Sequence, residues 1–293
     1  MSFRFEGIHG AVWTPTDAAG ALLIEALREN VSFMARAGVN GFLILGSTGE
    51  FIHLTTELRQ QVVEMIIEFA PQIPATVNIS HTNPRVVAEL GRHAKSAGAC
   101  CVALLPPWYF PMNDDDLIEF FVRGAEAAQL PLVLYNFEER VGKRLTPAVV
   151  RAVAKRVKVV ALKQSGGTMN DHTVFAEIGR EMGFNVLTGS DTRIPEAMGA
   201  GAKGCIGGLV NIVPELLVAI YNGVVAGRDV SETAAQVRRV GEIVDTLEFP
   251  NNIAAAMLAR GLEPGAPKTI MAPSSQAKFD TIRRELGRFL GRS

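Results

Sequence analysis

Short apolar runs rich in β-formers alternate with amphipathic helical stretches almost from the first residue, and this alternation constrains the chain more than any other feature. The strand candidates are residues 8–13, 41–45, 75–79, 101–105, 132–135, 157–163, 185–187 and 204–206. Helical patterns lie between them, at 24–37, 55–70, 84–97, 114–128, 146–155, 171–182 and 191–200, with an eighth at 214–226. Start signals stand where helices should begin, as in Thr55-Thr56-Glu57 and Asn113-Asp114-Asp115-Asp116. Stop glycines recur at Gly38, Gly98, Gly183 and Gly201, each just ahead of the next strand. Strict strand–helix alternation implies parallel strands joined by crossover helices. Eight such units fit a closed (β/α)8 TIM barrel better than the competing open, doubly wound sheet.

The barrel is expected to occupy residues 1–227. Residues 228–293 read as helical, over 232–247, 253–260 and 274–290, broken by Phe249-Pro250 and the 264–267 segment. They are expected to form an appended helical region packed on the barrel, not a second catalytic domain.

Composition bears on partners and compartment. With 29 Lys+Arg against 30 Asp+Glu, the net charge of -1 gives no basic excess for neutralising nucleic-acid phosphates. Hydrophobic residues at 48% and charged residues at 20% supply a large core and argue against disorder. No stretch reaches the ~18 continuous apolar residues of a membrane span. The start, Met1 to Gly7, lacks the pattern of a secretory signal. Three cysteines, with Cys100 and Cys101 adjacent, make no disulfide framework. A soluble, cytoplasmic protein is expected.

In such a barrel, active sites gather at the C-terminal ends of the strands. The second strand ends in Gly46-Ser47-Thr48-Gly49-Glu50, the fifth in Tyr135-Asn136 and the sixth in Lys163-Gln164. The seventh ends in Gly189-Ser190-Asp191 and the eighth in Ile206-Gly207-Gly208. Lys163 carries the most information. Strand alternation places it on the face of Val159 and Ala161. If that face lines the interior, burial favours the neutral, nucleophilic amine; the alternative is a lysine snorkelling from a strand end into solvent. Tyr135 ends the preceding strand and could meet Lys163, although buried tyrosines with polar partners are common for structural reasons alone. Gly46–Glu50 reads either as a backbone nest for a carboxylate or phosphate or as a plain strand-to-helix turn.

Other signals carry less. Gly199 to Gly204 matches G-x-G-x-x-G by letter, but follows a helix and precedes a strand, the reverse of a dinucleotide site. Asp114 to Asp116 suit a helix start more than a metal. The histidines (His9, His53, His81, His93, His172) lack ligand spacing. Neither metal nor nucleotide cofactor is expected.

The ordered set Gly46-Ser47-Thr48-Gly49-Glu50, Tyr135-Asn136, Leu162-Lys163 and Gly189-Ser190-Asp191 resembles the dihydrodipicolinate synthase and N-acetylneuraminate lyase family of class I aldolases, over residues 7–226. The resemblance implies a Schiff base between Lys163 and pyruvate or another 2-oxo acid, with Tyr135 relaying protons and Ser47 and Thr48 holding the carboxylate. It extends substrate binding to Gly189, Asp191 and Ile206. Trp108-Tyr109 is similar to the motif whose tyrosine enters a neighbouring subunit's site, implying a homotetramer built as a dimer of dimers. Arg140, in Tyr135-Asn-Phe-Glu-Glu-Arg140, matches the arginine at the site mouth, with Glu138 where the family has proline. Thr192 and Gly208 replace the polar groups with which N-acetylneuraminate lyases hold a sugar chain. The resemblance therefore favours a dihydrodipicolinate synthase-like reaction of pyruvate with an aldehyde such as aspartate semialdehyde. A 2-keto-3-deoxy sugar-acid aldolase or dehydratase, an N-acetylneuraminate lyase-like enzyme and a non-catalytic 2-oxo-acid-binding regulator are the alternatives.

Overall fold

A computed structural model describes residues 5–291; residues 1–4, part of the stretch read above for a signal, and 292–293 lie outside the described residues. The strands are β1 (Gly7–Ala11), β2 (Gly41–Ile44), β3 (Ala75–Asn78), β4 (Cys101–Leu104), β5 (Leu132–Asn136), β6 (Val159–Gln164), β7 (Asn185–Thr188) and β8 (Gly204–Gly207). They close into a barrel in sequence order, β1 pairing in parallel with both β2 and β8. That closure excludes the open sheet. Nearly every strand residue is buried, as expected where helices cover one face of a parallel sheet and side chains fill the other.

The surrounding helices are α1 (Ile24–Arg36), α2 (Thr56–Phe69), α3 (Pro84–Ser96), α4 (Asp114–Ala128), α5 (Glu138–Val141), α6 (Pro147–Arg156), α7 (Met169–Met182), α8 (Ile194–Gly199) and α9 (Pro214–Val225). Their ends follow the expected chemistry. The side chains of Thr55 and Asn113 accept the amides of Leu58 and Asp116 at 3.2 and 2.8 Å, satisfying first-turn donors. Gly38, Gly98, Gly183 and Gly201 all take positive φ where the chain turns into the next strand.

Three local departures from the sequence reading have physical causes. β6 starts at Val159 rather than 157, because the Val157 amide still bonds to Val153 and closes α6. The 191–200 stretch divides into a 3-10 turn, Asp191–Arg193, and α8. Pro195 has no amide to donate and is tolerated only in a first turn, so the α-helix starts beside it. The one-turn α5 was not anticipated.

Beyond the barrel lie α10 (Ser231–Val244), α11 (Asn251–Arg260) and α12 (Pro273–Phe289). Val244, Ile253, Met257, Ile282 and Leu286 belong to the same buried cluster as the barrel residues. The segment between α11 and α12 packs against the β1–α1 loop. There the Trp13 indole donates to Pro264 O at 2.8 Å and the Ala266 amide to Thr16 O at 2.7 Å. No helix among the described residues is long and apolar enough to cross a membrane.

Candidate active site

Lys163 and Tyr135 are register partners on β6 and β5. The β5–β6 ladder slips between Leu132 and Val133, so regular pairing runs from Ala161 to Gln164 and carries Lys163 inward. Lys163 is 5% exposed and Tyr135 1%. The Lys163 Nζ donates to Tyr135 Oη at 3.1 Å and lies 4.4 Å from the centre of that ring. It does not snorkel. Tyr135 Oη in turn lies 3.2 Å from Ser47 Oγ. Three groups able to pass a proton therefore stand in line, with no carboxylate forming an ion pair with the amine among the described residues.

Ser47 and Thr48 sit in a tight turn after β2. The Gly49 amide donates to Gly46 O, and the Glu50 amide to Ser47 O, both at 3.0 Å. Leu45 and Glu50 bracket the turn with left-handed φ values of 60 and 53°, a conformation costly for residues with a Cβ. Surrounding contacts hold it there: the Asn78 Nδ2 donates to Leu45 O at 2.7 Å.

Opposite, Asp191 Oδ2 accepts the amides of Gly208 and Leu209 at 3.0 and 3.2 Å. Its Oδ1 is buried without a partner, although the residue as a whole is partly exposed. Burial pushes the Asp191 carboxyl up to about 6, against the downward pull of the Leu209 amide, the Lys163 charge and the Gly208 amide. Two glycines leave room for these side chains. A Cβ on Gly189 would lie 2.0 Å from Ser165 Oγ, and one on Gly207 would lie 1.6 Å from Asp191 Oδ1.

These groups line a cavity of ≈ 330 Å³ at the C-terminal mouth of the barrel, which Ser47, Thr48, Tyr135, Arg140, Lys163, Gly189, Asp191 and Ile206 all border. Tyr109 does not reach it. It is 86% exposed, with φ of 83°, and packs edge-on against Phe110 at 4.9 Å. Arg140, on α5, lies 5.7 Å from the Phe137 ring and 5.2 Å from the Phe249 ring. It makes no ion pair among the described residues. Glu139 accepts the Gly167 amide at 3.4 Å instead of pairing with it.

Sequence reasoning missed several residues around the cavity. Phe249 comes from the α10–α11 connector, and Asn252 and Ile253 from α11, and no local pattern distinguishes them from core residues. Asn136 and Gln164 were within reach, since each directly follows a singled-out residue. The Asn136 Nδ2 donates to Gln164 Oε1 at 2.8 Å, and Asn136 Oδ1 accepts the Leu145 amide at 3.0 Å, locking the ends of β5 and β6 together. His172, nearly fully buried, also borders the cavity. The glycine pattern from Gly199 to Gly204 does run from α8 into β8. Asp114 takes hydrogen bonds from Lys143 and Thr146.

A closed (β/α)8 barrel thus holds a buried amine against a tyrosine hydroxyl in a cavity of ligand-site size, and the family this fold and site fall in is one of class I lyases. The chain belongs to the dihydrodipicolinate synthetase family, whose model matches residues 4–288. The 4-hydroxy-tetrahydrodipicolinate synthase of Methanothrix thermoacetophila is 29% identical over 282 residues, covering 95% of each chain. The enzyme of the same name from Methanoculleus marisnigri is 30% identical over 292 residues, covering 96% of this chain and 98% of its own. Among solved structures, YagE, a prophage protein of the dihydrodipicolinic acid synthase family from E. coli K12 solved with pyruvate, superposes with a TM-score of 0.90 at 26% identity. It covers 98% of this chain and 99% of its own.

Proposed function

We propose that the protein condenses pyruvate with an aldehyde bearing its own carboxylate, as in a dihydrodipicolinate synthase-type reaction with aspartate semialdehyde. The observation that carries this reading is the 3.1 Å contact between the buried Lys163 Nζ and Tyr135 Oη. Lys163 attacks C2 of pyruvate; the carbinolamine loses water and becomes an iminium. The iminium withdraws electrons, so C3 gives up a proton and an enamine forms. The enamine carbon adds to the aldehyde, whose oxygen takes up a proton; water then adds to the carbon of the new iminium, and the C–N bond to Lys163 breaks to release the 2-oxo product and the free amine. Tyr135 moves these protons, with Ser47 Oγ next in line. Ser47, Thr48 and the amides of their turn hold the pyruvate carboxylate, while Gly189, Asp191 and Ile206 wall the other side. No metal or nucleotide enters these steps.

Arg140 supports the choice of acceptor. Its guanidinium borders the cavity between two aromatic rings and has no carboxylate partner among the described residues, leaving it available for a bidentate pair with the acceptor's carboxylate. The barrel, 1–227, carries this chemistry, and the region 228–293 contributes Phe249 and Ile253 to the cavity wall.

Tyr109 completes the site from a second copy, in a homotetramer of paired dimers. Tyr109 and Phe110 stand exposed on one chain. A hollow of ≈ 320 Å³, bordered by Phe51, Leu105, Trp108 and Val141 and continuous with Ser47 and Arg140, offers an apolar socket for them. The three free thiols, Cys100, Cys101 and Cys205, suit the reducing cytoplasm.

Borohydride reduction in the presence of pyruvate should leave a stable adduct on Lys163, identified by peptide mass spectrometry. No adduct, or one confined to surface lysines, removes the Schiff-base mechanism and leaves a non-catalytic binder. Sedimentation that finds a fully active monomer removes the role of Tyr109.

A further inference from the structure

We propose that Lys268 is a positioning residue for the turn that holds the 2-oxo-acid carboxylate, acting through Glu50; this rests on the function proposed above. Lys268 Nζ lies 2.7 Å from Glu50 Oε2, and the two side chains are 8% and 2% exposed. The same ammonium donates to Thr14 O at 2.8 Å and sits 5.2 Å from the Trp13 ring. Lys268 thus reaches Glu50 from the α11–α12 connector, which two further hydrogen bonds strap to the β1–α1 loop.

An ion pair so deeply buried gains little stability over an apolar pair, because desolvating two charges offsets most of their attraction. Its place in the structure shows what it does instead. Glu50 closes the turn in a left-handed conformation, its amide donating to Ser47 O and its carbonyl accepting the His53 amide at 2.9 Å. The second carboxylate oxygen, Oε1, is buried without a partner, so Lys268 supplies the only ion pair to Glu50 among the described residues. Fixing that carboxylate fixes the Glu50 backbone, and with it Ser47 and Thr48. Ser47 Oγ is the atom 3.2 Å from Tyr135 Oη. The tether therefore runs from Lys268 through Glu50 and Ser47 to the hydroxyl beside Lys163.

The tether governs the first substrate and leaves the second alone. A turn that holds the carboxylate equally in ground and transition states supplies uniform binding, and loosening it raises KM while leaving kcat at saturation alone. In Lys268→Met, which keeps the stem over Trp13 and loses the cation, KM for pyruvate should rise at least about tenfold, with kcat at saturating pyruvate and KM for the aldehyde within about threefold. Backbone amides of residues 46–50 should also exchange hydrogen faster. The double variant Glu50→Gln/Lys268→Met, which leaves no buried charge unpaired, separates the tether from folding. It should fold even if the single variant does not, and should still show the raised pyruvate KM. Wild-type pyruvate KM in either folded variant, an equal rise in both KM values, or unchanged exchange over 46–50 overturns the proposal. Failure of the wild-type protein to form a borohydride adduct would instead remove the function, while the exchange measurement still decides the tether.

Discussion

The floor and the mouth of the cavity are built differently. The floor is strand: Lys163, Tyr135 and Ile206 are at most 5% exposed, each fixed by a parallel ladder. The mouth is loop and appended helix: Arg140 is exposed on a single helical turn, and Phe249 comes from the connector ahead of α11. Polar groups on the floor are hydrogen-bonded to one another, as in the Lys163–Tyr135–Ser47 line. At the mouth, the Arg140 guanidinium is held by aromatic faces and has no ion-pair partner among the described residues. A rigid floor suits a step common to every turnover. A mouth built on loops can change its selectivity for a second substrate without disturbing that step.

Substitutions at each level can break this contrast. The largest effect is expected on the floor. Tyr135→Phe removes the hydroxyl from between Lys163 and Ser47 and should lower kcat on the order of 10²–10⁴-fold, the range for a positioned proton carrier. Adduct formation with pyruvate alone should slow in parallel, and an unchanged trapping rate would show that Tyr135 serves only the acceptor.

At the mouth, Arg140→Ala should reduce acceptor kcat/KM by about 10–150-fold, as for a charged hydrogen bond of ~1.5–3 kcal/mol. Pyruvate trapping on Lys163 should hardly change. Equal losses for both substrates would mean that Arg140 braces its loop and would count against an acceptor with a carboxylate.

The smallest effect belongs to Asp191, where floor and mouth meet. Its carboxyl is raised from 3.8 to about 6, so between those values the folded protein binds a proton that the unfolded chain has released. Stability must then fall as pH rises through this window and level off above it. In Asp191→Asn that contribution disappears. The variant should gain about 1–2 kcal/mol relative to the parent between pH 4 and 7, a figure reduced for the residue's partial exposure. Denaturant titrations giving a pH-independent difference would show that the carboxyl titrates normally.

How much of this was legible in the sequence depends on the range of the interaction. All eight strands fall within two residues of their expected bounds, because buried parallel strands announce themselves as local apolar runs with glycines and caps at their ends. Lys163 and Tyr135 could be brought together on paper because consecutive strands of a barrel are neighbours. The α5 turn was not legible. Its four residues carry no periodicity, and the resemblance pointed to a proline where Glu138 starts the helix.

The sequence by itself determined the barrel, the end of it at which the candidate site lies, and the lysine proposed to carry the chemistry, since each follows from spacing along at most two adjacent units. Only the tertiary structure decided that Tyr135 bridges Lys163 and Ser47, which are separated by several strands in the chain. It alone seated Arg140 between Phe137 and Phe249, and Lys268 beneath Glu50. The reason is physical. The position of Lys268, 218 residues from its partner, is set by the packing of α11 and α12 on the barrel, and no local propensity encodes which distant charge a buried carboxylate will meet.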